Sequence, residues 1–124
     1  MKNLKIGKDI KQLLMNDASV VKAIGDKIFP LVANEGTTFP FVVYRRSGYR
    51  PYSNKDYSDE VASVEMAILS DKYIDSVDVA DKVANALEHK STEDIDDIEI
   101  ENATEEFNAD IYIQKLNLRI TINN

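Results

Sequence analysis

The sequence of 124 residues contains no cysteine, a single histidine, and only four glycines and three prolines. The lack of cysteine excludes a disulfide framework and a thiolate metal site. The glycines, at positions 7, 25, 36 and 48, are too scattered for a glycine-rich phosphate-binding loop. No long apolar run is present and lysines interrupt the N-terminal apolar positions, which disfavours a secretory signal or a transmembrane span.

Positive charge is also scarce, with 15 basic against 22 acidic side chains and a net charge of −7. An acidic surface repels phosphate, so the charge disfavours a general nucleic-acid binder and disfavours docking on a membrane of anionic lipid. The same repulsion would suit a protein past which DNA slides without sticking. The hydrophobic content of 44% and charged content of 30% are those of a globular protein, and we predict a single domain over residues 1–124.

The sequence lacks the residue patterns that catalysis or metal binding requires. His89, near the end of a predicted helix, has no convergent partners that the sequence identifies, so we interpret it as a cation that interacts favourably with the helix dipole. No serine lies in a nucleophile-elbow motif. We therefore expect no enzymatic activity, no cofactor and no metal ion; a small hydrolase would require a pocket of converging titratable groups.

An acidic segment follows the predicted helix and consists of Glu93, Asp94, Asp96, Asp97, Glu99, Glu101, Glu105 and Glu106. Carboxylate oxygens are ligands that calcium prefers, but the spacing lacks the EF-hand pattern and its central glycine. Glu99 and Glu101 alternate with Ile98 and Ile100, as residues on a half-buried strand do. We favour a solvated strand face over a cation site.

Hydrophobic periodicity predicts two main helices, over residues 4–16 and 74–89, and a short helix over residues 18–24 between Asp17 and Gly25. The predicted buried stripes are Leu4, Ile10, Leu13 and Leu14 in the first main helix and Ile74, Val77, Ala80, Ala84 and Leu87 in the second. Strands are predicted over residues 27–33, 41–46, 60–69, 98–101 and 111–122. This order predicts an α+β two-layer sandwich, with a mostly antiparallel sheet of about five strands packed against two main helices.

Residues 47–59 are predicted to form a mobile loop that orders on assembly. The loop and the strand before it supply the residues that we predict as a protein interface: Arg45, Arg46, Tyr49, Arg50, Tyr52 and Tyr57. Tyrosine and arginine are enriched at interfaces because they combine broad contact area with a polar tip. The same composition could stack on single-stranded nucleic acid or form a plain solvated loop; the net charge ranks nucleic acid last.

The run AIGDKIFPLVANEGTTFPFVVYRR, residues 23–46, resembles the signature of the tail-completion or tail-terminator family of tailed phages and prophages. That signature is Gly-x-(Lys/Arg)-Ile-aromatic-Pro, a loop, and Pro-aromatic-Val-Val-Tyr. The matching positions are Gly25, Lys27, Ile28, Phe29, Pro30, Pro40, Phe41, Val42, Val43 and Tyr44. A second run, VASVEMAILSDKYIDSVDVADKVANAL, residues 61–87, resembles the family's strand and following helix, and the similarity extends over about residues 4–122.

The resemblance implies a structural, head–tail joining role in a virion, with assembly in the host cytoplasm. Such proteins form rings, usually hexamers, that cap the tail tube. The implied partners are other copies of the chain, the tail tube protein and the head connector protein, with DNA only passing through the ring. We expect the acidic segment or a similar surface to line or flank the pore. The alternative is a regulatory or adaptor domain that binds a cellular protein through residues 47–59.

Overall fold

The computed structural model describes residues 2–53 and 58–123, and at residues 2, 3, 51–53, 58 and 59 it describes the backbone. The helices and strands of these residues follow in the order α1 (Lys2–Met15), α2 (Ala18–Ile24), β1 (Ile28–Pro30), β2 (Phe41–Ser53), β3 (Ser58–Ser70), α3 (Tyr73–Leu87), β4 (Ile95–Asn108) and β5 (Ile111–Ile122). The predicted α+β class is confirmed. None of the helices in the described ranges combines the length and apolar character needed to cross a membrane.

The five strands form one sheet in the order β1-β2-β3-β5-β4. β1 runs parallel to β2, and the other neighbouring strands are antiparallel, as predicted for most of the sheet. Pro30 lies in the edge strand β1, which agrees with its inability to donate to a ladder. β1 is shorter than the predicted strand over residues 27–33 because Leu31 adopts a positive φ of 67°, which ends the extended conformation.

The helices pack against one face of the sheet and enclose the core. α1 contributes Ile6, Ile10 and Leu14, and α3 contributes Val79, Val83 and Leu87. The alternating buried residues of β3 and β5 are Ala62, Val64, Met66, Ile68, Leu116, Leu118, Ile120 and Ile122. Each fully buried valine, leucine, isoleucine or methionine among them contributes roughly 1.5–3 kcal/mol to folding.

The predicted buried stripes of both main helices are partly wrong. Leu4 is 59% exposed, and Ile74 is 64% exposed. In α3 the buried face is centred on Val79 and Val83, because apolar residues surround much of this helix and the periodicity alone allows a rotated stripe. The buried set also includes Ser76, whose hydroxyl donates a 2.6 Å hydrogen bond to the Tyr73 carbonyl oxygen.

The predicted limits of α2 are confirmed. Oδ1 of Asp17 accepts hydrogen bonds from the Ser19 amide at 3.0 Å and from the Val20 amide at 3.1 Å. Gly25, at φ 62°, follows the last helical residue. A capping carboxylate and a glycine in a positive φ region are the start and stop signals that the sequence carries.

The prediction of a long loop over residues 47–59 is corrected, because β2 extends to Ser53 and β3 begins at Ser58. Gly48 and Pro51 are typical loop residues, but both lie within β2. A register shift between Arg46 and Gly48 accommodates an extra residue. β1 pairs only with residues 42–44, so the end of β2 has a free edge, where a proline is tolerated. Residues 54–57 lie outside the described residues, and the mobility of the segment stays a prediction.

β4 is longer than the predicted strand over residues 98–101. It begins at the buried Ile95 and continues to Asn108, where it turns into β5. Ala109 and Asp110 form the two-residue connection with φ of 51° and 65°. Two positive φ values suit the twist of a tight hairpin, but Ala-Asp is not the Asn-Gly or Asp-Gly pair that signals such a turn, so the sequence pattern missed it.

Candidate protein interface

The residues predicted as one interface lie on two faces of the sheet. Directly paired residues share a face, and Arg46 and Tyr49 pair with the core residues Val64 and Ala62. Both side chains therefore lie on the helix-covered face, where they are exposed at the margin. In a regular strand Arg46 and Tyr49, three positions apart, would lie on opposite faces. The register shift after Arg46 adds one residue and so brings Tyr49 to the face of Arg46.

Arg45 and Arg50 lie on the opposite, helix-free face. Arg45 pairs with Glu65, and its guanidinium lies 3.6 Å from the Glu65 carboxylate. A surface ion pair of this kind contributes about 0–1 kcal/mol to stability, so the Arg45 side chain can leave Glu65 at little cost. Arg50 lies beside Arg119 and Glu101 around a depression of about 380 Å³.

The other two residues of the predicted interface are described only in part or not at all. The backbone of Tyr52 belongs to β2 and pairs with Asp59, while its side chain lies outside the described part of the structure. Tyr57 also lies outside the described residues.

A groove of about 410 Å³ opens between the N-terminal part of α1, the end of β1, and β2. We call it the basic-rimmed groove. Its apolar lining comes from Leu4, Ile6, Pro30, Leu31, Tyr44 and Val64, and its positive charge comes from Lys5, Lys8 and Arg46. Arg45 also lines the groove, but its guanidinium lies beside Glu65 on the other face of the sheet. Among the described residues that line it, none is a carboxylate. The groove can therefore hold an apolar side chain while attracting negative charge around it.

The groove depends on a close approach of α1 to β2. A Cβ atom at Gly7 would lie 2.9 Å from Cε2 of Tyr44, so only glycine leaves room for the tyrosine ring. The ring is largely buried, and burial raises the pKa of the Tyr44 hydroxyl above its ordinary value of 10.0. Tyr44 therefore forms a neutral wall of the groove at physiological pH.

Leu31 at the mouth of the groove is both exposed and conformationally unusual. It is 75% exposed and has a φ of 67°, a value that large side chains rarely adopt. Its amide donates a 2.8 Å hydrogen bond to the Tyr44 carbonyl oxygen, which anchors the turn to β2. The neighbouring Val32 is also exposed, so apolar surface continues from the groove to solvent.

A second apolar surface, the hairpin patch, joins α3 to the β4–β5 hairpin. It consists of Tyr73, Ile74, Val77, Phe107 and Tyr112. Phe107 is 58% exposed, and its ring centroid lies 4.7 Å from that of Tyr112, which lies 5.7 Å from that of Tyr73. Ile74 and Val77 continue the patch along α3, since residues three or four apart are neighbours on a helix.

Glu105 fixes the arrangement of the hairpin patch. Its Oε2 accepts hydrogen bonds of 2.9 Å from the Tyr73 hydroxyl and 2.9 Å from Nε2 of Gln114. Both bonds lower the pKa of Glu105 below its ordinary value, and the bond from Gln114 has the larger effect. The bond between Tyr73 and Glu105, together with the negative charge of Glu105, raises the pKa of Tyr73. The carboxylate thus acts as a structural acceptor that ties the hairpin to α3.

The acidic segment spreads along the edge strand β4 and the turn before it. Glu105 pairs with Gln114 on the helix-covered face, and Glu106 pairs with Ile113 on the other face, where it lies 3.3 Å from Nζ of Lys115. Among residues 2–53 and 58–123, no group of three or more histidine, aspartate or glutamate side chains could hold a metal ion.

His89 lies just after α3 and contacts the acidic segment. Its Nδ1 lies 3.2 Å from Oδ1 of Asp97, and both side chains are well exposed. Its amide donates a 2.7 Å hydrogen bond to the Ile98 carbonyl oxygen, which links the end of α3 to β4. The residue adopts a φ of 60°, in the left-handed region that favours glycine.

Known proteins match this chain in structure but not in sequence. No family model matches this sequence, and no curated protein matches it. One chain of a solved structure described as "Virion of native gene transfer agent (GTA) particle" superposes with a TM-score of 0.81 and 15% sequence identity. The match covers 93% of this chain and 92% of that chain. The two chains share one fold.

Sequence reasoning identified Arg46 at the groove but missed the groove itself and the hairpin patch. Leu4, Ile74 and Val77 were assigned to the core, which removed them from consideration as surface residues. The aromatic pair Phe107 and Tyr112, on either side of the turn, was the available signal. It requires the hairpin register to be known, because only the pairing of these two residues brings the rings together.

Proposed function

We propose that this chain is a non-enzymatic structural protein of a phage-like virion, in which it forms a ring at the head–tail junction. The single observation that carries the proposal is the shared fold with a chain of the gene transfer agent virion over 93% of this chain. The two proline motifs that resemble the tail-completion family support the finer role as a tail terminator, which joins the tail tube to the head connector.

The surface of the chain supports a role in assembly. Exposed apolar side chains gather around the basic-rimmed groove and in the hairpin patch. A ring needs heterologous contacts, in which two different patches of each subunit meet. Patches with exposed aromatic and aliphatic side chains next to charged ones are typical of protein interfaces.

We propose that the chain is not an enzyme because its titratable groups with defined contacts have structural partners on the surface. Glu105 accepts hydrogen bonds within the hairpin patch, and His89 lies against Asp97 on an exposed surface. The net charge of −7 repels DNA, which suits a ring through which DNA passes without adhering. The outward carboxylates of β4, among them Glu99 and Glu101, are the groups that we propose to flank such a pore.

A mass measurement and electron microscopy of the purified full chain test the proposal. We expect a concentration-dependent ring, formed more readily when purified tail tube protein is present as a template. Deleting the gene from the element that encodes it should leave heads and tails that do not join. Particles that assemble normally without the protein would overturn the structural role, and a chain that stays monomeric beside tail tubes would favour the adaptor alternative.

A further inference from the structure

We propose that neighbouring copies of this chain contact each other by inserting the tip of the β4–β5 hairpin, led by Phe107, into the basic-rimmed groove of the next copy. The inference rests on the proposed function, because it takes assembly of several copies as given. It deepens that function by naming both sides of the contact.

The two surfaces lie at opposite edges of the sheet, so one chain cannot satisfy both by itself. The groove lies beside β1 and β2, whereas Phe107 lies on β4. Four strand spacings of about 4.8 Å separate β1 from β4, which places the two edges about 19 Å apart. A contact between unlike patches at opposite edges is the heterologous kind that builds rings.

Both surfaces also belong to the same layer of the molecule. Phe107 pairs with Tyr112, and Tyr112 pairs with Ser70, which alternates with the core residues of β3. Tyr44 in the groove wall pairs with the core residue Met66. Hairpin tip and groove thus lie on the helix-covered side of the sheet, so copies placed side by side can bring them together with a continuous helical layer.

The chemistry of the two surfaces is complementary. Phe107 offers an exposed aromatic ring, and the groove offers apolar walls that include Leu4 and Leu31. Two carboxylates lie close to Phe107 in the hairpin: Glu105 on the same face of β4 and the exposed turn residue Asp110. The groove is rimmed on this face by Lys5, Lys8 and Arg46. An aromatic anchor inside a border of opposite charges is the arrangement that gives an interface both affinity and a fixed orientation.

Pairing between strand edges is a less suitable way to join copies. Val42 and Tyr44 direct their backbone bonds toward β1, and the register after the bulge directs the nitrogen of Pro51 to that same edge of β2. A proline nitrogen carries no hydrogen, so an added strand would meet a missing donor there. Side-chain insertion therefore fits this edge better than strand addition does.

A mixing experiment tests the contact. The hairpin variant Phe107→Asp and the groove variant Lys8→Glu with Leu31→Glu change only exposed side chains, and circular dichroism and thermal unfolding verify that both fold. We expect each variant alone to be monomeric. An equimolar mixture should form a one-to-one dimer that grows no further, because its remaining surfaces are both defective. Rings from either variant alone, or a mixture that stays monomeric while the wild type forms rings, would overturn the contact.

Cysteine crosslinking separates this contact from the proposed function. The chain has no native cysteine, so Asn108→Cys with Leu31→Cys adds a clean pair, and Asn108→Cys with Val21→Cys is a matched control on α2. We expect a ladder of covalent oligomers from the first pair only. Rings without this ladder would overturn the contact and leave the proposed function standing. A ladder without closed rings would support the contact and count against the ring.

Discussion

The Tyr73 hydroxyl donates a 2.9 Å hydrogen bond to Oε2 of Glu105 and thereby joins the first turn of α3 to the β4–β5 hairpin. The bond stabilises the ionised carboxylate and the neutral phenol together. Glu105→Gln should therefore lower the raised pKa of Tyr73 toward 10.0. Ultraviolet titration of tyrosinate, with Tyr73→Phe to assign the signal, measures this. Glu106→Gln, on the other face of β4, is the matched control and should leave the pKa of Tyr73 where it is.

The same bond predicts how the order of the hairpin depends on pH. Because folding raises the pKa of Tyr73, its contribution is complete below 10.0 and is lost as the pH rises through the folded-state value. Folding lowers the pKa of Glu105, so its contribution is present above 4.5 and is lost as the pH falls through the lower value. Nuclear magnetic resonance of the Phe107 and Tyr112 rings should show the most ordered hairpin between these limits. If the ring signals of Glu105→Gln kept the pH dependence of the wild type, this role would be contradicted.

Removing the cap of α2 should destabilise the protein in a pH-dependent way. Asp17→Ala leaves the Ser19 and Val20 amides without their acceptor, and we expect a loss of about 1 kcal/mol at neutral pH. Hydrogen bonds from the Ser19 side chain and the Val20 backbone lower the pKa of Asp17, so its stabilisation is present above 3.8 and disappears as the pH falls through the lowered value. Urea unfolding at several pH values measures both effects. Asp78→Ala, exposed on α3, should show neither of them.

Gly7→Ala should not give the gain that this change gives in most helices. An exposed helical glycine replaced by alanine normally gains about 1 kcal/mol, but here the new Cβ would lie 2.9 Å from the Tyr44 ring. We expect no gain or a net loss in the free energy of unfolding. In a Tyr44→Leu background the gain should return, because the ring is gone. Equal effects of Gly7→Ala in the two backgrounds would show that the close approach does not limit this site.

Relieving the backbone of His89 should stabilise the protein. At φ 60° a non-glycine residue is strained by about 1 kcal/mol, and His89→Gly removes that strain while losing only an exposed contact with Asp97. We expect a gain of roughly 0.5–1 kcal/mol by thermal or urea unfolding. His89→Ala loses the contact but keeps the strain, so it should show no gain. A destabilised His89→Gly variant would mean that the contact with Asp97 outweighs the strain.

Most of the fold could be predicted from the sequence where alternation is uninterrupted. β5 has the predicted limits because Leu116, Leu118 and Ile120 alternate with polar residues to its end. The bulge after Arg46 could not be predicted, since it depends on how β2 pairs with β3, and it decides which arginines share a face. The bond between Tyr73 and Glu105 joins residues 32 positions apart, and the sequence alone does not show that α3 and β4 meet there.

The proline in β2 also bears on how the molecule behaves when it is crowded. Exposed strand edges are where chains stack into fibrils, because each edge offers a template of donors and acceptors. Pro51 withdraws one donor from that template. An added strand would therefore lack one hydrogen bond at this edge of β2, which makes the edge a poorer template for amyloid-like growth.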